Sequence, residues 1–178
     1  HHTIYLAPEY QKNLADIEAG RPLDEDCSVY VQAATQTDPS LAPPGHSSLY
    51  VLVPTANLGA SRGQIDWSNE RQRMRRVAFQ QLERLGVAEA ESRVRVERVL
   101  TPEDWRDTHH IYRGATFNLA HSLGQMLYWR PHNRFEDLDG VYLVGGGTHP
   151  GSGLPTIYSS ARIATDALVA DLSSRVAA

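Results

Sequence analysis

Cysteine is nearly absent from this chain of 178 residues. Cys27 is the only one, which excludes a disulfide framework and a zinc site built on cysteine ligands, and a reducing, cytoplasmic compartment is expected. Lysine is as scarce: Lys12 stands alone among 17 basic residues, the rest being arginines. A phosphate loop of the form G-x-x-x-x-G-K-[ST], or a Schiff-base lysine, is thereby excluded from the C-terminal two-thirds. No apolar run approaches the ~18 residues of a membrane-spanning helix, and no signal peptide opens the chain. Positive charge is not in excess either. The formal net charge is −4 with basic residues spread along the chain, which excludes a nucleic-acid footprint. Methionine does not stand first; His1 does, and His1–Leu6 reads at once as a strand, so the chain is expected to be a piece of a longer protein.

What remains is an ordinary globular composition, 41% hydrophobic and 21% charged, of a length that suits one domain or one two-layer unit. A strand over 3–6 leads to a helix near Glu9–Glu18 that stops at Gly20 before Pro22. The runs 28–34 and 48–53 are strand-like and nearly continuous in apolar residues, with a turn-rich stretch between them. They predict an antiparallel pair, either buried on both faces or with one face reserved for an apolar ligand. The clearest helix is capped by Ser68, carries Met74, Val77, Ala78, Leu82 and Leu85 on one stripe, and closes at Gly86. A strand is predicted over 93–100, a short helix after Thr101-Pro102, and irregular to helical chain over 105–138. A strand at 141–144, a glycine-rich turn and a helix over about 155–172 complete the chain. The fold class is α+β.

The strongest local signal is the strand-to-helix passage from Gly140 to Pro155, whose turn holds five glycines. Glycine lets backbone approach a ligand without an intervening Cβ, and the positive end of the following helix favours an anion or a polarised carbonyl. That combination describes the edge of a cofactor site. The spacing alone leaves a tight crossover without a ligand equally open, and no G-x-G-x-x-G/A can be threaded through it.

The wording of the segment goes further. Tyr142-Leu143-Val144-Gly145-Gly146-Gly147-Thr148-His149-Pro150-Gly151-Ser152-Gly153-Leu154-Pro155, with Ser160-Ala161-Arg162 after it, closely resembles the C-terminal flavin motif of bacterial and fungal phytoene desaturases. Upstream, Arg130-Pro131-His132-Asn133-Arg134 resembles that family's loop before the same strand. His1-His2-Thr3, Ser40-Leu41-Ala42-Pro43 and Tyr50-Val51-Leu52-Val53-Pro54 also look like family segments in order. The resemblance covers essentially the whole chain but about the last third of a family member. It implies an FAD-dependent carotenoid desaturase whose FAD domain is built from both ends of the chain around an inserted substrate domain. Residues 1–138 would be mostly substrate domain, and 139–178 the returning strand and helix of a split Rossmann-like FAD domain. By position, Gly145, Gly146, Gly147, Thr148 and Gly151 would lie along the cofactor, and Gly153, Leu154 and Pro155 would stand near the flavin ring. The N-terminal strand–turn–helix that holds the ADP half is missing here, so this chain alone should bind FAD weakly or not at all and be inactive. Its natural partner would be that N-terminal part of the same parent.

A carotenoid offers no polar handle, so its tunnel must be apolar and aromatic. Tyr30, Tyr50, Tyr128 and Trp129 are candidates to line it, and packing in the core is their plainer role. Arg71, Arg73, Arg75 and Arg76 crowd one end of the long helix, partly offset by Glu70 and Glu83. They suggest either a solvated face or docking on anionic lipid at the inner membrane face. His109, His110 and His121 lack metal-ligand spacing, so no metal is expected. Desaturation needs a proton acceptor; the sequence does not identify it, and His149 inside the turn is its candidate. A carotenoid isomerase, ketolase or retinol saturase-like enzyme would share the flavin turn, and a cofactor-free lipophilic binding module would share the cleft.

Overall fold

Strand β2 (Val29–Ala33) is the middle of a three-stranded antiparallel sheet, flanked by β1 (His2–Tyr5) and β3 (Leu49–Leu52). The register pairs Tyr5 with Val29 and Val31 with Val51. Side chains alternate across a strand, so those residues share one face. Against that face lie Ile17 of helix α1 (Tyr10–Ala19) and, from the long helix of residues 67–84, Val77 and Leu82. With Leu23, Cys27 and Ala90 they form the main core. Helix α1 ends in a left-handed Gly20 (φ 71°), where a Cβ would stand 2.1 Å from the carbonyl oxygen of Ala60 in α2 (Leu58–Ser61). Only glycine permits both that turn and that approach.

The structure is a computed structural model that describes residues 1–176, and it divides into two units, His1–Gly114 and Ala115–Ala178. The antiparallel pair, its long connection and the mixed helix-and-sheet class agree with the sequence reading. Burial on both faces of the sheet does not hold: Ile4 is 67% and Tyr50 52% exposed.

Helix α3 (Trp67–Arg84) begins two residues earlier than expected. Asp66, not Ser68, is its cap, accepting a 3.0 Å hydrogen bond from the Ser68 amide while the Ser68 hydroxyl donates to the same oxygen at 2.5 Å. The strand expected over 93–100 does not form. Glu91–Arg93 make a single 3-10 turn, and Val96 is 92% exposed. Alternation of Val94 and Val96 cannot make a strand without a neighbouring ladder. Here the segment is tied to α3 instead: Arg75 binds Glu91 and, at 2.6 and 2.8 Å, Glu97, while Arg71 donates to the Val99 carbonyl at 2.8 Å. Helix α4 (Pro102–His109) follows with the expected opening, a reciprocal capping box between Thr101 and Asp104.

In the second unit, helix α5 (Leu154–Val176) extends past the expected 172. The predicted strand at 141–144 is reduced to one antiparallel bridge between Tyr142 and Arg134. Val141 and Val144, 40% and 58% exposed, find no further strand among the described residues, and a strand is defined by its ladder.

Candidate functional site

The glycine turn is supported from behind by the segment 130–134. Arg130 is 2% exposed. Its Nε donates to the Thr148 carbonyl at 3.1 Å, its Nη1 to the Gln125 carbonyl at 3.0 Å, and its Nη2 to the Gly146 carbonyl. No carboxylate pairs with it among the described residues, although burying an unpaired ion costs several kcal/mol. Asn133, 5% exposed, gives its side-chain amide to the Leu143 carbonyl (3.1 Å) and to the hydroxyl of Ser160 (3.0 Å). Ser160, fully buried on α5, also accepts the Gly145 amide at 3.2 Å. Thus Asn133 and Ser160 staple the extended segment to the helix, and Arg130 anchors the turn between them. At the surface Arg134 donates to Asp171 at 2.8 Å, which raises the guanidinium pKa further, and the Tyr142 hydroxyl donates to Asp171 at 2.7 Å.

The expected cofactor residues differ in what the fold does with them. Gly145 (φ 118°) uses a backbone conformation that suits only glycine, and its open side meets no atom within 4 Å. Gly146 and Gly147 donate their amides to no acceptor among the described residues, and a Cβ on Gly147 would stand 2.7 Å from the side-chain nitrogen of Asn118. Thr148 is buried, and its hydroxyl donates to the Pro131 carbonyl at 2.7 Å, so that side chain is committed to the fold. Its amide turns back to Gly145 at 3.3 Å. Gly151 is buried while Gly153, Leu154 and Pro155 are exposed at the start of α5. Of these three only Gly153 and Leu154 carry an N–H, since proline has none. The His149 amide also donates to Pro131, at 2.8 Å, and its ring makes no hydrogen bond among the described residues.

Of the expected substrate residues, Tyr30 and Tyr50 are brought together on the open face of the sheet, opposite the core, with ring centroids 6.2 Å apart. The register aligns Ile4, Tyr30 and Leu52 on that face, and His2, Gln32 and Tyr50 beside them. A 2.7 Å hydrogen bond joins the Tyr30 hydroxyl to His2 Nδ1. Core packing therefore does not account for these tyrosines. Tyr128 and Trp129 lie edge to face at 5.6 Å in the second unit, 75% and 70% exposed. The arginine cluster of α3 is largely neutralised by partners: Arg71 by Asp104, Arg73 by Glu70, Arg75 by Glu91 and Glu97. Most of these acids come from distant segments that a scan along the helix overlooks. The sequence also missed the roles of Arg130, Asn133 and Ser160, although all three lie in the motif blocks.

No protein-family model matches the chain. Curated relatives do. It is 51% identical over 164 residues to a 4,4'-diapophytoene desaturase (4,4'-diapolycopene-forming) of Methylomonas sp., covering 92% of this chain and 32% of that protein. Identity is 46% over 169 residues to an all-trans-zeta-carotene desaturase of Myxococcus xanthus (94% and 31%), and 39% over 172 residues to a lycopene-forming phytoene desaturase of Pseudescherichia vulneris (97% and 35%). The chain spans about a third of the length of these relatives. The resemblance read from the motifs is borne out across nearly the whole chain.

Proposed function

We propose that this chain is the C-terminal part of an FAD-dependent carotenoid desaturase that introduces double bonds into a phytoene-like precursor. The observation that carries the reading is the 51% identity to a diapophytoene desaturase across 92% of the chain. Residues 1–138 would then contribute mostly the substrate-binding part and 139–178 the returning strand and helix of the FAD domain. The glycine turn fits the cofactor: free amides at Gly146 and Gly147 and unobstructed space beside Gly145 and Gly151 suit a polar, extended group lying along the backbone. FAD would supply the acceptor for a hydride. The protein's own contribution is to bind and orient the polyene, exclude water from the reacting carbons and remove a proton.

The open face of the sheet suits an apolar substrate, because Ile4, Tyr30, Tyr50 and Leu52 offer apolar and aromatic surface there. Leu154, Tyr158, Val169 and Leu172 stand exposed on α5, and Val141 and Val144 on the extended segment before it; the N-terminal half of the FAD domain in the whole protein would cover such surface. Four hydroxyls on α5, those of Ser159, Thr165, Ser173 and Ser174, bond the helix's own carbonyls, so they need no partner from that neighbour. Among the described residues, no helix is long and apolar enough to cross a membrane. An inner-face association would rest on Arg76 and the remaining exposed arginines of the first unit rather than on the paired ones.

The test is to express the whole protein carrying this chain in a host that accumulates phytoene or 4,4'-diapophytoene. Extracts are expected to contain a longer conjugated polyene, read by absorption and mass. Unchanged precursor, or geometric isomers of unchanged mass, would defeat the proposal.

A further inference from the structure

We infer that Arg130 is a positioning residue for an anion, and that the anion is the diphosphate of the flavin dinucleotide, lying on the amides of Gly146 and Gly147. The inference rests on reading the glycine turn as the FAD site and deepens it. Arg130 is buried, yet it binds carbonyl oxygens alone, those of Gln125, Gly146 and Thr148. In a trans peptide the N–H points opposite to the C=O. Drawing the Gly146 carbonyl onto the guanidinium therefore turns the Gly147 amide away from it, toward the side where no protein acceptor waits. The Gly145 carbonyl is likewise taken up by the Thr148 amide, which orients the Gly146 N–H. The negative ends of these peptides are withdrawn and the positive ends presented. Asn118 borders Gly147 with a side-chain amide that has no partner among the described residues, adding one more donor.

The charge completes the argument. Arg73, Arg75 and Arg134 each meet a carboxylate, whereas Arg130, the most buried of the arginines, meets none among the described residues. A buried cation without a counter-ion is costly to the fold. An anion on the outward amides supplies the missing counter-charge a few ångströms away through the peptide it polarises. Anion and guanidinium each stabilise the other, and the turn is ordered between them.

The experiment uses the whole protein carrying this chain, purified as wild type, Arg130→Gln and Arg130→Lys. FAD affinity, the midpoint potential of the bound flavin and the melting temperature are measured for each. Arg130→Gln is expected to weaken FAD binding by about tenfold or more, the scale of one lost charge-assisted interaction, with Arg130→Lys partly restoring it and the potential unmoved. Inorganic diphosphate, added to the deflavinated wild type, is expected to raise the melting temperature and compete with FAD, and to do neither in Arg130→Gln. A lower melting temperature with unchanged FAD and diphosphate binding would leave Arg130 as a mere support of the turn and overturn the inference. A shifted potential at unchanged affinity would place its charge at the flavin ring and overturn it too. If Arg130→Gln does not fold, the comparison of wild type with Arg130→Lys decides, equal affinities for FAD and diphosphate being the refuting result. A wild type that binds diphosphate but no FAD would instead defeat the functional reading and leave the anion site standing.

Discussion

The two units of this chain are held together by different forces. Among the described residues, the buried hydrophobics from Ala7 to Ala90 all belong to His1–Gly114, where they close a sheet against two helices. Among the described side chains the second unit buries only Ala164 of that class, and Arg130, Asn133, Thr148 and Ser160 are its buried polar groups. An apolar interior tolerates changes that preserve volume, because its stabilisation is non-directional. A polar interior is specified atom by atom, since each unsatisfied donor or acceptor costs about 1–3 kcal/mol. A turn that must hold backbone amides toward a ligand needs the second kind of interior.

The largest expected effect is on the apolar side. Leu82→Ala should destabilise the protein by about 3 kcal/mol, read from the urea midpoint of far-UV ellipticity, while Leu82→Met should cost under about 1.5 kcal/mol. The matching pair in the second unit sharpens the contrast. Asn133→Ala should cost about 2 kcal/mol, because it leaves the Leu143 carbonyl unpaired and removes a donor from Ser160. Asn133→Leu, of similar volume, should recover none of that loss. If Asn133→Leu were as stable as wild type, the distinction between the two interiors would collapse.

Smaller effects probe the edges of the first unit. Thr101→Ala removes one side of the capping box and should cost about 1 kcal/mol, with hydrogen exchange accelerated in α4 ahead of the sheet. The smallest effect is titratable. Hydrogen bonds from Lys12 and then Arg21 hold the Asp16 carboxyl below its ordinary value. Its folded-state pKa is therefore below the unfolded one, so the stabilisation is present above about pH 4 and is lost as pH falls through the folded value. The urea midpoint should decline in that acid window, and Asp16→Asn should flatten the decline while leaving neutral pH behaviour otherwise parallel. An unchanged acid limb in Asp16→Asn would remove Asp16 from the account.

Much of the local structure was legible. Gly20 and Gly86 ended helices where the pattern placed them, Thr101 and Asp104 opened α4, and the runs around Val31 and Val51 paired as antiparallel neighbours. The misreadings have one cause. Residues 93–100 and 141–144 carry strand-like alternation, but a strand depends on what lies beside it. Beside the first lie arginines of α3 that take Glu97 and the Val99 carbonyl; beside the second, among the described residues, stands only the chain near Arg134. The Ser68 cap was misplaced by two residues because Asp66, an equally good capping residue, takes the Ser68 amide and hydroxyl and draws Ser68 into the first turn.

For the candidate site, composition and order were enough to mark the glycine turn, since five glycines before a helix announce close backbone approach whatever the surroundings. Its supports were not legible. That Arg130 reaches three carbonyls, that Asn133 meets Ser160 across 27 residues, and that Tyr30 and Tyr50 face away from the core all depend on long-range contacts. By itself the sequence determined the caps, the periodicities and the place of the turn, because these follow from interactions within a few residues. Only the tertiary structure decided which extended runs became strands, which arginines were neutralised, and which peptide groups of the turn remained free, because each requires a partner from elsewhere in the chain.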